Sequence, residues 1–213
     1  MNKRPKNKIN VFAKWFGVSL MTVGAATLLL LASGVTSNKT QYTERLEAFE
    51  TMKAEAAMVN NIQKPIELKN TISKETANQQ LSGVEGVLAI PQIDLKAPVL
   101  LGADEQTLAQ GLGAIENMDA PGETNGSYAI AGHQSYVFGQ YFNRLHELKE
   151  GQKFTFETVD GVQNYEIFAV QIVKPERVDV LDQRKDIALL SLITCYPERS
   201  NEFRLIVQAK RIE

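Results

Sequence analysis

The chain has 213 residues, 44% of them hydrophobic, with 23 Lys and Arg against 25 Asp and Glu, enough material for one folded domain plus accessory segments. Its net charge of −2 is unevenly placed: residues 1–14 carry Lys3, Arg4, Lys6, Lys8 and Lys14 with no acid, so the remainder holds −7. That balance excludes the basic surface of a nucleic-acid binder, and no nucleic-acid partner is expected.

In chain order, the basic tip is followed by Trp15 to Val35, 21 residues without a charge. As a helix this stretch spans roughly 30 Å, the thickness of a bilayer core. Trp15 and Phe16 suit the headgroup boundary, and the Lys/Arg end belongs on the cytoplasmic side. A cleaved signal peptide is the competing reading, since Ala32-Ser33-Gly34 imitates a cleavage site, but the apolar run is longer than a signal core. The expectation is an uncleaved single-pass anchor. Residues 36–83 then read as a stalk or linker. Tyr42, Leu46, Phe49 and Met52 or Lys53 repeat near helical spacing and predict an amphipathic helix from about Gln41 to Val59, which Asn60-Asn61 and Pro65 stop. Asn70 to Ser82 is polar and unpatterned, a tether that spaces the following domain from the membrane.

From about Val84 the pattern changes to short β-prone runs separated by turn residues. Strands are predicted near Val87–Ile90, Ala97–Leu100, Ser127–Ala131, Lys153–Thr158, Asn164–Val173, Ile187–Thr194 and Phe203–Ile212. Short helices are predicted at Glu105–Gly111 and Gly139–Leu145. The sum is a mostly antiparallel barrel or sandwich of about 130 residues, large enough for a real core.

Cys195, the one cysteine of the chain, ends the run Leu189-Leu190-Ser191-Leu192-Ile193-Thr194. With no intrachain partner it is an inert core residue, an intermolecular bridge or a reactive thiol. His133 closes an earlier strand at Ile130-Ala131-Gly132, and Arg204 opens a later one, nine positions after Cys195. A thiolate nucleophile, a proton carrier and a cationic donor for a developing oxyanion are the three parts of acyl transfer through cysteine. The second histidine, His146, sits in Arg144-Leu145-His146-Glu147 and reads as a solvated helix-end residue.

These segments together resemble the sortase family. Leu190-Ser191-Leu192-Ile193-Thr194-Cys195 is similar to the family's TLxTC signature, with Ser191 for its first threonine. Ala129-Ile130-Ala131-Gly132-His133 resembles the segment of the catalytic histidine, and Arg204-Leu205-Ile206-Val207 the start of the final strand with the essential arginine. Ile90-Pro91, Lys96-Ala97-Pro98-Val99 and the Pro175 to Asp182 segment are similar to further landmarks, so the likeness covers about residues 84–213. It implies a mainly β fold, a closed antiparallel barrel with a few short helices, behind an N-terminal transmembrane helix and a helical stalk. One N-terminal apolar stretch, none after the last strand and no large insertion before the cysteine resemble class A, the housekeeping sortases, with class D as the alternative.

The resemblance further implies a cysteine transpeptidase that cuts LPxTG-type sorting signals between Thr and Gly, with Cys195 as nucleophile, His133 as acid and base, and Arg204 as oxyanion or backbone ligand. Its partners would be LPxTG-bearing surface proteins and the cross-bridge amine of lipid II, on the outer face of the membrane. Ala131, Val178, Val180, Leu181, Ile193 and Thr194 are the expected substrate contacts. Some class A sortases bind calcium through acidic residues before the histidine strand and a glutamate in a later loop. Here Glu116, Asp119 and Glu123 are only loosely grouped and Gln183 stands at the loop position, so a solvated acidic loop and no metal or other cofactor are expected. Two other readings share the same residues: a membrane-anchored cysteine protease releasing to water, although papain-like and caspase-like contexts are absent, and a cell-wall-binding β-domain with Cys195 buried.

Overall fold

The computed structural model describes residues 16, 19–25, 43–57, 83–134 and 141–212. Two compact units divide the chain at residues 41 and 42. In the first, residues 16 and 19–25 are helical with exposed side chains. Among the described residues no helix is long and apolar enough to cross a membrane; most of the expected span, residues 15–35, lies outside them.

The second unit is built on a closed barrel of eight strands: β1 (Val84–Ile90), β2 (Leu95–Leu101), β3 (Leu112–Ala114), β4 (Ser127–Ala131), β5 (Lys153–Thr158), β6 (Gly161–Val173), β7 (Leu189–Tyr196) and β8 (Phe203–Ile212). They are ordered β1-β2-β3-β4-β7-β8-β6-β5, with β5 returning to β1. Seven of these strands were expected; β4, β5 and β8 keep the expected bounds, and the ends of β1, β2, β6 and β7 move by a few residues. β3 was not, because three residues are too few to display a period of two. The barrel is mostly antiparallel, as expected, but not wholly so, since β2–β3 and β4–β7 are parallel. Antiparallel strands joined by short turns place successive ends at opposite rims. The parallel β4–β7 pair places both C-terminal ends at one rim.

Alternation along each strand supplies the core. Tyr128 and Ile130 of β4, Leu190 and Leu192 of β7, and Leu205, Val207 and Ala209 of β8 all point inward. Phe154 stacks on Tyr165 and Phe156 on Tyr128 across the interior. Gly86 on β1 is required by close approach: a Cβ there would lie 2.4 Å from the Glu157 carbonyl oxygen and 2.7 Å from the Phe156 ring.

Helix α1 spans residues 43–57. Arg45, Leu46, Ala48, Phe49, Met52, Lys53 and Ala56 form its covered stripe, the spacing of a helix face laid on a surface. Phe49 is fully buried. Lys53 pairs with Glu157 of β5 at 2.5 Å and with Glu50 at 3.0 Å, and Arg45 donates to the Gln110 side chain. The helix is therefore docked on the barrel. The expected tether, residues 70–82, lies outside the described residues.

The two short helices are trimmed. α2 (Glu105–Leu108) is capped by Asp104, whose carboxylate accepts from the Thr107 amide at 2.8 Å, and it ends early because Leu112 enters β3. Where a helix was expected over 139–145, residues 141–144 form turns ahead of a 3-10 turn at Leu145–Glu147. Tyr141, at φ 51°, cannot continue a right-handed helix. His146 is exposed on that 3-10 turn.

Candidate active site

Because β4 and β7 run parallel and β8 returns antiparallel to β7, three strand ends meet at one rim. Cys195 on β7 is paired directly with Arg204 on β8. On the other side the β4–β7 ladder ends at Ala131↔Ile193, and His133 and Cys195 each lie two residues further along. The three residues singled out in the sequence thus come from adjacent strands at the same level of the barrel. His133 is exposed, and Cys195 and Arg204 are half-buried. Arg204 donates from Nη1 to the carbonyls of Asn201 and Phe203, both at 3.0 Å, which holds its guanidinium at the mouth of the β7–β8 connection.

The segment carrying His133 is held to β7 and the residue that follows it by four bonds. The Gly132 amide donates to the Ile193 carbonyl at 3.0 Å. The Thr194 hydroxyl, buried with its residue only 3% exposed, donates to the Gly132 carbonyl at 2.8 Å. With its amide turned to donate, Gln134 reaches the carbonyls of Pro197 at 3.1 Å and Cys195 at 3.2 Å. Glycine is required before His133, since a Cβ at Gly132 would come within 2.6 Å of Leu112 and 2.7 Å of Phe142. Phe142, buried beneath it, donates its own amide to the His133 carbonyl at 3.2 Å.

Thr194 stands apart from the other expected contacts. It lies on the opposite face of β7 from Ile193 and Cys195, because side chains alternate along a strand, and its hydroxyl is committed to Gly132. Through that bond it fixes the backbone just before His133. The other expected contacts separate by exposure. Ala131 and Ile193 are half-buried on the outer face, side by side and next to Ile206 of β8. Val178, 70% exposed, begins the 3-10 turn Val178–Leu181, in which Val180 is buried and Leu181 half-buried.

Below the apolar row of Ala131, Ile193 and Ile206, the outer face turns polar and is covered. Ser191 of β7 opposes Gln208 of β8, and both are 0% exposed. The covering is the segment between β6 and β7. Gln208 donates to the Val180 carbonyl at 2.7 Å and the Ser127 hydroxyl to the Leu181 carbonyl at 2.6 Å. Sequence reading missed Gln208, although one glutamine among Leu205-Ile206-Val207 and Ala209 was a visible signal of a buried polar role.

Asp119 fastens the same segment. Gln183 Nε2 donates to both its carboxylate oxygens, at 3.0 and 2.8 Å, and the Ser127 amide donates at 2.8 Å. These donors, Gln183 foremost, hold the Asp119 carboxyl below the usual aspartate range. An amide N–H turned toward the carboxylate does not ligate a cation. Among the described residues no three His, Cys, Asp or Glu side chains converge, so this donor set does not fit a calcium ion.

The sortase domain family matches residues 88–212, more than half of the chain. The protein is 31% identical over 154 residues to sortase A of Streptococcus agalactiae, covering 69% of this chain and 60% of that one. It is 32% identical over 136 residues to sortase A of Bacillus anthracis, covering 62% of this chain and 63% of that one. The chain thus spans a little under two thirds of these relatives' own lengths. Among solved structures, sortase C of Streptococcus pneumoniae superimposes with a TM-score of 0.60 at 28% identity, covering 78% of this chain and 89% of that one. Sortase A of Corynebacterium diphtheriae does so with a TM-score of 0.59 at 25% identity, covering 84% and 93%. The chain belongs to the sortase family, whose members are cysteine transpeptidases.

Proposed function

We propose that this protein is a class A sortase that cuts LPxTG-type signals between Thr and Gly and joins the surface protein to the cross-bridge amine of lipid II. The observation that carries the reading is the shared rim: Cys195 and Arg204 are ladder partners, and His133 lies two residues past the end of the neighbouring parallel strand, at the same level. Cys195 passes its proton to His133, and its Sγ attacks the threonine carbonyl carbon. Arg204, fixed at the rim, donates to the carbonyl oxygen as it gains negative charge. As the C–N bond breaks, His133 gives a proton to the departing glycine amine, leaving a thioester on Cys195. The incoming amine then loses a proton to His133 as it attacks the thioester, and the thiolate departs. The half-buried Ala131 and Ile193, backed by Ile206, suit the Leu-Pro part of the signal, with Val178 and Leu181 at their edge. Residues 15–35 form a single membrane span with the N-terminus in the cytoplasm and the barrel outside. Holding enzyme, sorting signal and lipid-linked acceptor on one surface raises their effective concentration.

The test uses the full chain in detergent micelles with an LPxTG peptide, with and without oligoglycine. Amine-dependent ligation, abolished in Cys195→Ala, is the expected result. Hydrolysis indifferent to the amine would instead make the protein a thiol protease. An unreactive peptide together with a thiol that resists alkylation would make it a binding domain.

A further inference from the structure

Gln208 is a polar side chain buried on the outer wall of a barrel, a position that exists only because the segment between β6 and β7 lies over it. It satisfies both ends of its amide there. Nε2 donates to the Val180 carbonyl at 2.7 Å and to the Ser191 hydroxyl at 3.4 Å. Oε1 accepts from Arg184 Nη2 at 2.9 Å and from Gln171 Nε2 at 3.1 Å. One side chain thus ties β6, β7 and β8 to two points of the covering segment. Ser127 holds Leu181 between those points, and Asp119 holds Gln183. The anchoring is one-sided. From Val180 to Arg184 the segment is bonded to the barrel at four of five residues. Val178 is 70% exposed, and the Arg177–Asp179 ion pair, at 2.7 Å, is local to the turn.

We infer that Gln208 is a positioning residue that presets residues 180–184 as a fixed roof over the outer wall at Ser191 and Gln208, leaving the turn around Val178 as the adjustable lip that meets the substrate. The assignment of substrate to the surface beside this roof rests on the function proposed above; the anchoring does not. A roof already ordered in the free protein spares the ordering cost on binding, so its loss falls on KM and leaves the chemical step at the rim intact.

The experiment is amide hydrogen exchange on the full chain in micelles, paired with peptide kinetics, for wild type, Gln208→Leu and Ser127→Ala. The reporters are the Asp182 amide, bonded to the Asp179 carbonyl, and the Ile187 amide, bonded to the Arg184 carbonyl. Losing an anchor of one to two net hydrogen bonds speeds their exchange by about tenfold, while β7 and β8 amides stay protected. KM for the LPxTG peptide rises by about fivefold with kcat within about twofold. Ser127→Ala, the milder change, shows the same pattern where Gln208→Leu does not fold. Wild-type exchange at both reporters in the variants overturns the inference, as does an equal loss of protection through β7 and β8. If wild type leaves the peptide untouched, the functional reading fails by itself, and the exchange arm still decides the roof.

Discussion

Replacing Thr194 by valine removes one hydroxyl with almost no change of shape. That hydroxyl donates to the Gly132 carbonyl at 2.8 Å from a site 3% exposed, so water does not replace it. A net hydrogen bond contributes about 1 kcal/mol, and stranding a buried acceptor adds about 1 kcal/mol or more, giving a loss of about 2 kcal/mol. For a domain of this size, that corresponds to a fall in Tm of about 6 °C. The kinetic effect is larger than the stability effect alone implies, because the lost bond fixes the residue before His133. A displacement of that backbone by a fraction of an ångström lowers kcat by about tenfold. Thermal unfolding by circular dichroism and the ligation assay measure the two arms, and Thr194→Ser, which keeps the hydroxyl, restores both. A Thr194→Val protein that melts within about 1 °C of wild type and ligates at its rate would refute the positioning role.

Four further outcomes are expected. Phe49→Ala empties a fully buried site under α1 and costs about 3 kcal/mol in urea unfolding; a loss below about 0.5 kcal/mol would mean that α1 is not part of the packed unit. Arg204→Lys lowers kcat/KM by at least about tenfold, since a point charge does not reproduce the guanidinium fork, and a near-normal rate removes Arg204 from the site. Asp119 is held below its ordinary range, so its stabilisation is complete above the unfolded-state value and is lost as pH falls through the lower folded-state value. The Tm difference between wild type and Asp119→Asn is therefore present at pH 7 and closes below about pH 4. Chelator or added calcium leaves the ligation rate unchanged; calcium-stimulated turnover would show that Gln183 gives up its bonds to Asp119.

All the strands but β3 were legible because alternation of apolar and polar residues is a local property, read over four to eight positions. β3 escaped because it has three residues. The helix over residues 43–57 was legible for the same reason at a different period, yet its docking was not. The stripe around Phe49 shows that one face wants cover and does not say whether a membrane-side spacer or the barrel supplies it. Thr194 shows what adjacency leaves open: it neighbours Cys195 in sequence, and alternation within the strand sends the two side chains to opposite faces.

What the chain determines unaided is the set of residues capable of acyl transfer and their placement near strand ends, because residue chemistry and short-range periodicity are written in the sequence. The pairing of β4 with β7 in parallel, which brings His133 level with Cys195, was settled only by the closed barrel. So was the burial of Gln208 beneath a segment some 25 residues before it, which turns a surface-type side chain into the anchor of a roof. Both depend on which distant segments come to lie together. That choice is made by the free energy of closing and burying the whole sheet, to which no short stretch of sequence has access.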